Sequence, residues 1–247
     1  MSDAKPIAYA AYQELADRYA AMIDHKPHNA YYDRPAMLSL LPDVRGVRVL
    51  DVGCGPGAYA AALVDRGAHV TSCDVSDRML ELAAERLAPA IAEGRVTLHN
   101  VDLTQPLTLF ESSSFGVVLA PLCLDYIEDW RALFEEFRRV LEPGGTFLFS
   151  CGHPAFDAEY FETEDYFSVE EVEATWTGFG KAIVVPSYRR SLEEMVAPVL
   201  EAGFHIRRVH EPLPTEDFKK ADPVRYARLM HRPAFLCVVA SSPGDTI

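Results

Sequence analysis

Long uncharged apolar runs are missing from this 247-residue chain, so it offers no candidate transmembrane helix. It also lacks a basic stretch followed by an apolar one at its start, the pattern of a secretory signal. Both absences predict a soluble, cytoplasmic protein that does not engage a membrane. Positive charge is scarce: 23 Lys and Arg stand against 37 Asp and Glu, for a net charge of −14. So acidic a chain, with no Lys/Arg run, binds phosphate backbones poorly, which argues against nucleic acid as a partner. Cysteines are few and scattered. Cys54, Cys73, Cys123, Cys151 and Cys237 form no C-x-x-C pair, so neither a disulfide framework nor a structural zinc site is expected. Four of them fall near the carboxyl ends of predicted strands. A metal or redox cluster there is the alternative to packing as small apolar residues, and packing is the simpler expectation, with no metal.

What is present is an ordinary globular balance, 49% hydrophobic and 24% charged, long enough for one large domain. Its centre of interest is "RVLDVGCGPGAYAAAL", residues 48–63. Residues 47–52 read as a short buried strand, Gly53, Gly55 and Gly57 crowd one turn, and an Ala-rich helix begins near Tyr59. Strand, glycine turn and helix open a nucleotide-binding βα unit. The ligand stays open at this point, because Gly53-x-Gly55-x-x-Ala58 also fits the dinucleotide fingerprint of nicotinamide-dependent oxidoreductases.

The pattern then repeats. "AHVTSCD", "RVTLHNVD", "FGVVLA" and "GTFLFSCG" read as further strands. Ser76 caps a helix to about Leu87, and Trp130 to Leu141 forms another with Leu133, Phe134, Phe137 and Val140 on one side. Five alternations over 47–151 predict a doubly wound parallel sheet whose ligand sits beyond the strands' carboxyl ends. Upstream, an amphipathic helix spans 8–23 and a short one starts at Pro35. From Gly152 to Arg190 acids and aromatics alternate without period, and "SVEEVEAT" with "KAIVVPSY" suggests a small hairpin. Ser191 and Glu194 form a capping box for a helix that ends at Gly203 and that Pro198 kinks or shortens. "FHIRRVHEP" and "PAFLCVVAS" then close the chain as an antiparallel pair. The expected architecture is α/β, Rossmann-like and doubly wound. It has seven strands, mostly parallel with an antiparallel last strand, plus N-terminal helices and an insertion after strand five. We expect a single domain, 1–247, with a helical N-terminal lid (1–45), a cofactor-binding core (46–151), an acceptor-side insertion (152–190) and a closing helix and strand pair (191–247).

"VLDVGCGPG" joined to Asp74 after strand two, Asp102 after strand three and "LEPGG" before strand five resembles the class I S-adenosylmethionine-dependent methyltransferases, in particular the small-molecule branch with ubiquinone/menaquinone-type enzymes. The resemblance covers about residues 31–151 and, more loosely, the two closing strands. It implies S-adenosyl-L-methionine as cofactor and a small organic methyl acceptor. It places Asp51 at the methionyl ammonium, Asp74 on the ribose hydroxyls, and Asp102 with the Leu103 backbone at the adenine. The glycine turn Gly53, Cys54, Gly55, Gly57 would lie against the cofactor, with Val75 and Met79, and with Leu119, Ala120 and Leu122 flanking the fourth strand's end. Tyr31, Tyr32 and Arg34 match an N-terminal segment that closes over the cofactor. Each acid also has a plainer reading as a cap or turn former, as do the tyrosines as packed aromatics.

Methyl transfer from a sulfonium is an in-line displacement, so the protein mainly aligns the partners and excludes water. The chain has "APLCLDYIEDW" in place of the "NPPY" or "DPPY" signature of amino-group methyltransferases. A proton acceptor is sought in His153 after strand five or in Asp125 or Tyr126 after strand four. His153 as a turn cap beside Pro154 is the competing reading. The aromatics of 156–179 suggest a flat, largely apolar acceptor. A non-catalytic S-adenosylmethionine-binding module and a nicotinamide oxidoreductase remain the alternatives.

Overall fold

A computed structural model describes residues 6–244. Its seven-stranded sheet runs in the order β3-β2-β1-β4-β5-β9-β8, built from β1 (Arg48–Val52), β2 (His69–Asp74), β3 (Val96–Asn100), β4 (Phe115–Pro121), β5 (Leu141–Gly152), β8 (His205–His210) and β9 (Phe235–Ser241). β1 to β5 pair in parallel, and only β9 runs antiparallel to its neighbours, slotted between β5 and β8. The chain reverses direction in sheet order between β1 and β4. That opens a crevice at their carboxyl ends, where ligands of doubly wound sheets bind.

Alternation along the strands explains the layers. Val49, Val117, Leu119 and Leu148 face one side with Met37, Ala60, Leu63, Ala83 and Leu87. These come from α2 (Arg34–Leu40), α3 (Ala58–Asp65) and α4 (Asp77–Ala92). Leu50, Val118, Phe147 and Phe149 face the other side, against Trp130, Phe134 and Phe137 of α5 (Trp130–Val140) and Met195 and Val199 of α7 (Leu192–Glu201). Burial on both faces is what gives central strands their unbroken apolar runs. The Trp130 indole satisfies its one donor on the Leu124 carbonyl at 2.9 Å.

Several elements differ from the sequence reading. α4 continues past Leu87 through Pro89 to Ala92. Pro89 and the Glu85 carbonyl it leaves unbonded lie on the exposed side, while buried Ala90 holds the last turn on the core. β5 begins at Leu141, taking in "LEPGG" through a register shift opposite Phe115 and Val117. A short helix, α6 (Pro154–Tyr160), occupies part of the aperiodic insertion, and the segment before β9 contains α8 (Glu216–Ala221) and α9 (Pro223–Leu229).

The N-terminal α1 (Tyr9–Met22) packs along α4, and a one-turn π-helix over Asn29–Asp33 leads into α2. The insertion hairpin is its own two-stranded sheet, β6 (Glu170–Trp176) with β7 (Ile183–Arg189). Its apolar side, Trp176, Ile183 and Val185, meets Ala8, Ala11 and Tyr12 of the N-terminal segment. Arg189 pins its base by donating from Nε to Glu170 at 2.7 Å. So the hairpin and α1 together roof the crevice. Among the described residues no helix is long and apolar enough to cross a membrane.

Candidate active site

A cavity of about 570 Å³ lies at the carboxyl ends of β1, β2 and β4, within the range of small-molecule sites. Its floor is the glycine turn, and each glycine has a separate reason to be there. A Cβ on Gly53 would stand 2.4 Å from the Cys123 Cβ, so only glycine lets the turns after β1 and β4 close together. Gly55, at φ 52°, has no atom within 4 Å of such a Cβ and borders the cavity itself, leaving bare backbone for a ligand. A Cβ on Gly57 would meet Leu87 at 2.9 Å, so this glycine serves the packing of α3 on α4. Leu122, at φ 50°, is a strained non-glycine residue on the opposite rim, held by donating its N–H to the Ser150 carbonyl at 3.0 Å.

Carboxylates line one end. Asp74 accepts from the Gly55 and Ser76 amides, both at 2.9 Å, and so fixes the turn's shape. Burial raises its pKa, and those amides work against the rise. Asp102 accepts from the Thr104 amide at 2.9 Å and the Thr104 hydroxyl at 2.7 Å, and it borders the cavity with Leu103. Asp125 accepts from the Gly152 amide at 3.1 Å, and burial pushes it up to about 6.

Asp33 and Arg34 stand side by side on the cavity wall. The Tyr59 hydroxyl donates to one Asp33 oxygen, Oδ2, while Oδ1 is buried without a partner. Arg34 donates to the Ile23 carbonyl at 2.8 Å and to Asp24 at 3.4 Å, which leaves its Nε buried and unpartnered. Unpaired buried polar groups are costly. A buried acid oxygen and a guanidinium N–H left free together suit a ligand that carries an ammonium and a carboxylate, as the methionyl end of S-adenosylmethionine does.

Aromatic rings complete the lining of the cavity. The rings of Tyr12, Tyr19, Tyr126, Trp176 and Phe179 all border it. Tyr12 meets Tyr19, Tyr126 and Trp176 edge-on, with centroids 5.9, 5.3 and 6.1 Å away. Ser76, which caps α4 by accepting from the Met79 amide at 3.2 Å, also donates to Gln13, tying α1 to the start of α4.

Comparisons with known proteins agree with this geometry. The family described as Methyltransferase domain matches residues 50–149. An S-adenosylmethionine dependent methyltransferase of Mesorhizobium loti is 27% identical, with a TM-score of 0.66 over 89% of this chain and 99% of that one. The chain belongs to the class I S-adenosylmethionine-dependent methyltransferases. An uncharacterized protein of Haemophilus influenzae resembles this methyltransferase at 28% identity over 227 residues, 86% of this chain and 87% of the other. A demethylmenaquinone methyltransferase of Clavibacter sepedonicus is 37% identical over 112 residues, 45% of this chain and 44% of its own. The enzyme's cofactor is therefore S-adenosyl-L-methionine, and the nicotinamide alternative is set aside.

Of the residues singled out in the sequence, Arg34, Gly53, Cys54, Gly55, Asp74, Val75, Met79, Asp102, Leu103, Leu122, Asp125 and Tyr126 all border this methyltransferase's cavity. Six do not. Asp51 lies behind the turn, fully buried, with Oδ2 accepting from Ser72 at 3.3 Å and Oδ1 unpartnered; burial pushes it up to about 7. Leu119 and Ala120 are interior to β4, packed on opposite faces of the sheet. Gly57 faces Leu87, as above. Tyr32 is sealed in a cluster with Phe218, Leu229 and Ala234, its hydroxyl accepting from the Ala234 amide at 3.1 Å. His153 caps α6, accepting from the Ala155 amide at 3.2 Å, and its Nε2 pairs with Glu211 at 2.9 Å. Its turn-cap reading is the one the geometry follows.

Sequence reasoning missed Tyr12, Tyr19, Asp33 and Tyr59. Tyr12 and Tyr19 sat in an apolar stripe that read as a helix's buried face, and Tyr59 read only as the start of the Ala-rich helix. Asp33 and Arg34 carried the only usable signal: an acid and a base side by side, hemmed by "YY" and "PAML".

Proposed function

We propose that this methyltransferase transfers the methyl group of S-adenosylmethionine to a small, flat, largely apolar organic acceptor. The observation that carries the reading is one cavity lined both by a glycine turn with carboxylates and by the rings of Tyr12, Tyr126 and Trp176, roofed by α1 and the hairpin. The similarity to a demethylmenaquinone methyltransferase supports a ring-bearing acceptor.

In this reading Asp74 accepts from the ribose hydroxyls, and Asp102 with the Leu103 backbone receives the adenine. The bare backbone at Gly55 admits the cofactor closely. Arg34 takes the methionyl carboxylate through its free Nε and Asp33 the ammonium through Oδ1, the role that the family resemblance implied for Asp51. When bound, the cofactor supplies a methyl group already activated on a sulfonium, so the enzyme's own work is alignment and exclusion of water. Tyr12, Tyr126 and Trp176 press the acceptor flat and keep solvent out. Where the acceptor must lose a proton, Asp125 is the cavity carboxyl not assigned to the cofactor, raised by burial toward neutrality, the range in which a general base works well. The Tyr126 hydroxyl is engaged by Tyr12 and serves the wall.

The test is mass spectrometry of a metabolite extract incubated with the enzyme and deuteromethyl-labelled donor. A labelled, low-molecular-weight aromatic product supports the reading. Label confined to macromolecules, or no label despite tight S-adenosylhomocysteine binding, refutes it.

A further inference from the structure

The cavity is polarised in a way that its apolar acceptor reading leaves unexplained. In a chain of net charge −14, three basic side chains gather where the roof meets α9. Lys26, His28 and Arg225 all border the cavity there. The Lys26 ammonium donates to the Gly178 carbonyl at 3.1 Å and lies 3.7 Å from the Phe179 ring centroid. No carboxylate pairs with it among the described residues. His28 is wedged edge-on between Phe218 and Phe235, with centroids 5.2 and 6.3 Å away, and its ring nitrogens have no hydrogen-bond partner among the described residues. The one acid nearby, Asp222, is already committed: Oδ1 accepts from the Arg225 amide and Oδ2 from the Arg225 guanidinium, both at 2.9 Å.

The groups also repel one another. Burial first, then Arg225 and Lys26, pulls His28 down to about 4, against a smaller opposing pull from Asp222. Burial and Arg225 together pull Lys26 below its ordinary range. A partly buried ammonium without a counter-ion is unfavourable, and a neutral imidazole adds an idle N–H donor. A single negative group would give Lys26 its counter-ion and accept from His28, and the guanidinium N–H groups that Arg225 does not spend on Asp222 could donate to it as well. Phe235 and Tyr160 border the same end, so the body carrying that group lies among rings.

We infer that the methyl acceptor is an organic anion: an aromatic or otherwise apolar body bearing one carboxylate or phosphate group, which Lys26, His28 and Arg225 hold at the cavity mouth. The inference rests on the methyl-transfer reading and narrows it. The anion fixes which end of the acceptor enters first and so which atom reaches the methyl group.

The test passes the deuteromethyl-labelled products of the extract over an anion exchanger at pH 8. Retention of the labelled product is expected, and its release by alkaline phosphatase separates a phosphate from a carboxylate. With the retained acceptor isolated, Lys26→Gln, which removes the charge, should raise its KM roughly tenfold. Arg225→Gln should do the same, with the Kd for S-adenosylhomocysteine unchanged in both. Lys26→Arg should restore most of the loss. A labelled product in the flow-through, or an unchanged KM in both glutamine variants, overturns the anion and leaves methyl transfer standing. Absence of any labelled product removes the transfer reading and the anion with it.

Discussion

The hydroxyls of Tyr12 and Tyr126 meet at 2.7 Å across 114 residues of sequence, one from the N-terminal helix and the other from the turn after β4. Both are partly buried, and desolvation is the main reason each phenol's pKa is raised. This bond ties the roof of the cavity to the sheet edge beneath it. Tyr12→Phe leaves the Tyr126 hydroxyl without that partner, so we expect a loss of roughly 1–2 kcal/mol in stability and faster release of S-adenosylhomocysteine. Urea unfolding and stopped-flow release check it; equal values for variant and parent would show that the roof is held by packing alone.

The glycine turn should separate two kinds of damage. Gly53→Ala drives a methyl group into Cys123 at φ 63°, and should lower stability by roughly 2–5 kcal/mol. Gly55→Ala meets no protein atom, so its stability loss should stay near the roughly 1 kcal/mol of a left-handed alanine, while affinity for S-adenosylhomocysteine falls about tenfold or more. Calorimetric melting and titration on both variants decide; reversed rankings would mean that the open side of Gly55 is not the ligand's side.

Asp74→Asn removes a charge that also organises the turn through the Gly55 amide. We expect cofactor affinity to drop by roughly 1–3 kcal/mol, because the ligand hydroxyls lose an ionised acceptor. An isotherm indistinguishable from the parent's removes Asp74 from the site.

Asp33 makes the fold pH-dependent, with a definite sign. The unfolded chain loses this proton near the ordinary value of 3.8 and the folded chain only near 6, because burial outweighs the bond from Tyr59 and the charge of Arg34. Between those values the folded state holds more protons, so raising the pH weakens the fold. Asp33→Asn keeps an oxygen for Tyr59 and does not titrate. Relative to parent, the variant should gain stability from about pH 4 to pH 6, by at most roughly 3 kcal/mol. Urea midpoints of the two proteins that stay parallel across this window would exclude a buried, ionising Asp33.

His153 supplies the negative control. His153→Ala should cost about 0.5–2 kcal/mol of stability, the price of a helix cap, with methyl transfer per folded molecule unchanged. A large fall in turnover at constant stability would return it to the chemistry.

The sheet was legible because its information is local and periodic. Alternating apolar strands, Ser76 and Ser191 at helix starts, and the Gly53, Gly55, Gly57 turn each follow from backbone sterics and burial within a few residues. The same locality made Asp74, Asp102 and Asp125 readable, since Asp74 ends β2 and the other two lie a few residues past the carboxyl tips of β3 and β4. Helix ends were less legible: nothing near Pro89 says that Glu85 will face water, and α6 depends on a histidine cap.

The sequence alone determined the strand order's logic, the glycine floor and the family's cofactor, because those rest on patterns that a short window contains. Only tertiary structure decided which acids face the cavity. Asp51 and Asp33 are both buried acids, yet the fold turns the first into the sheet beside Ser72 and sets the second on the cavity wall beside Arg34. Side-chain facing across distant segments is set by packing, as it is for Tyr12 against Tyr126 and Lys26 against Phe179, and no local rule encodes it.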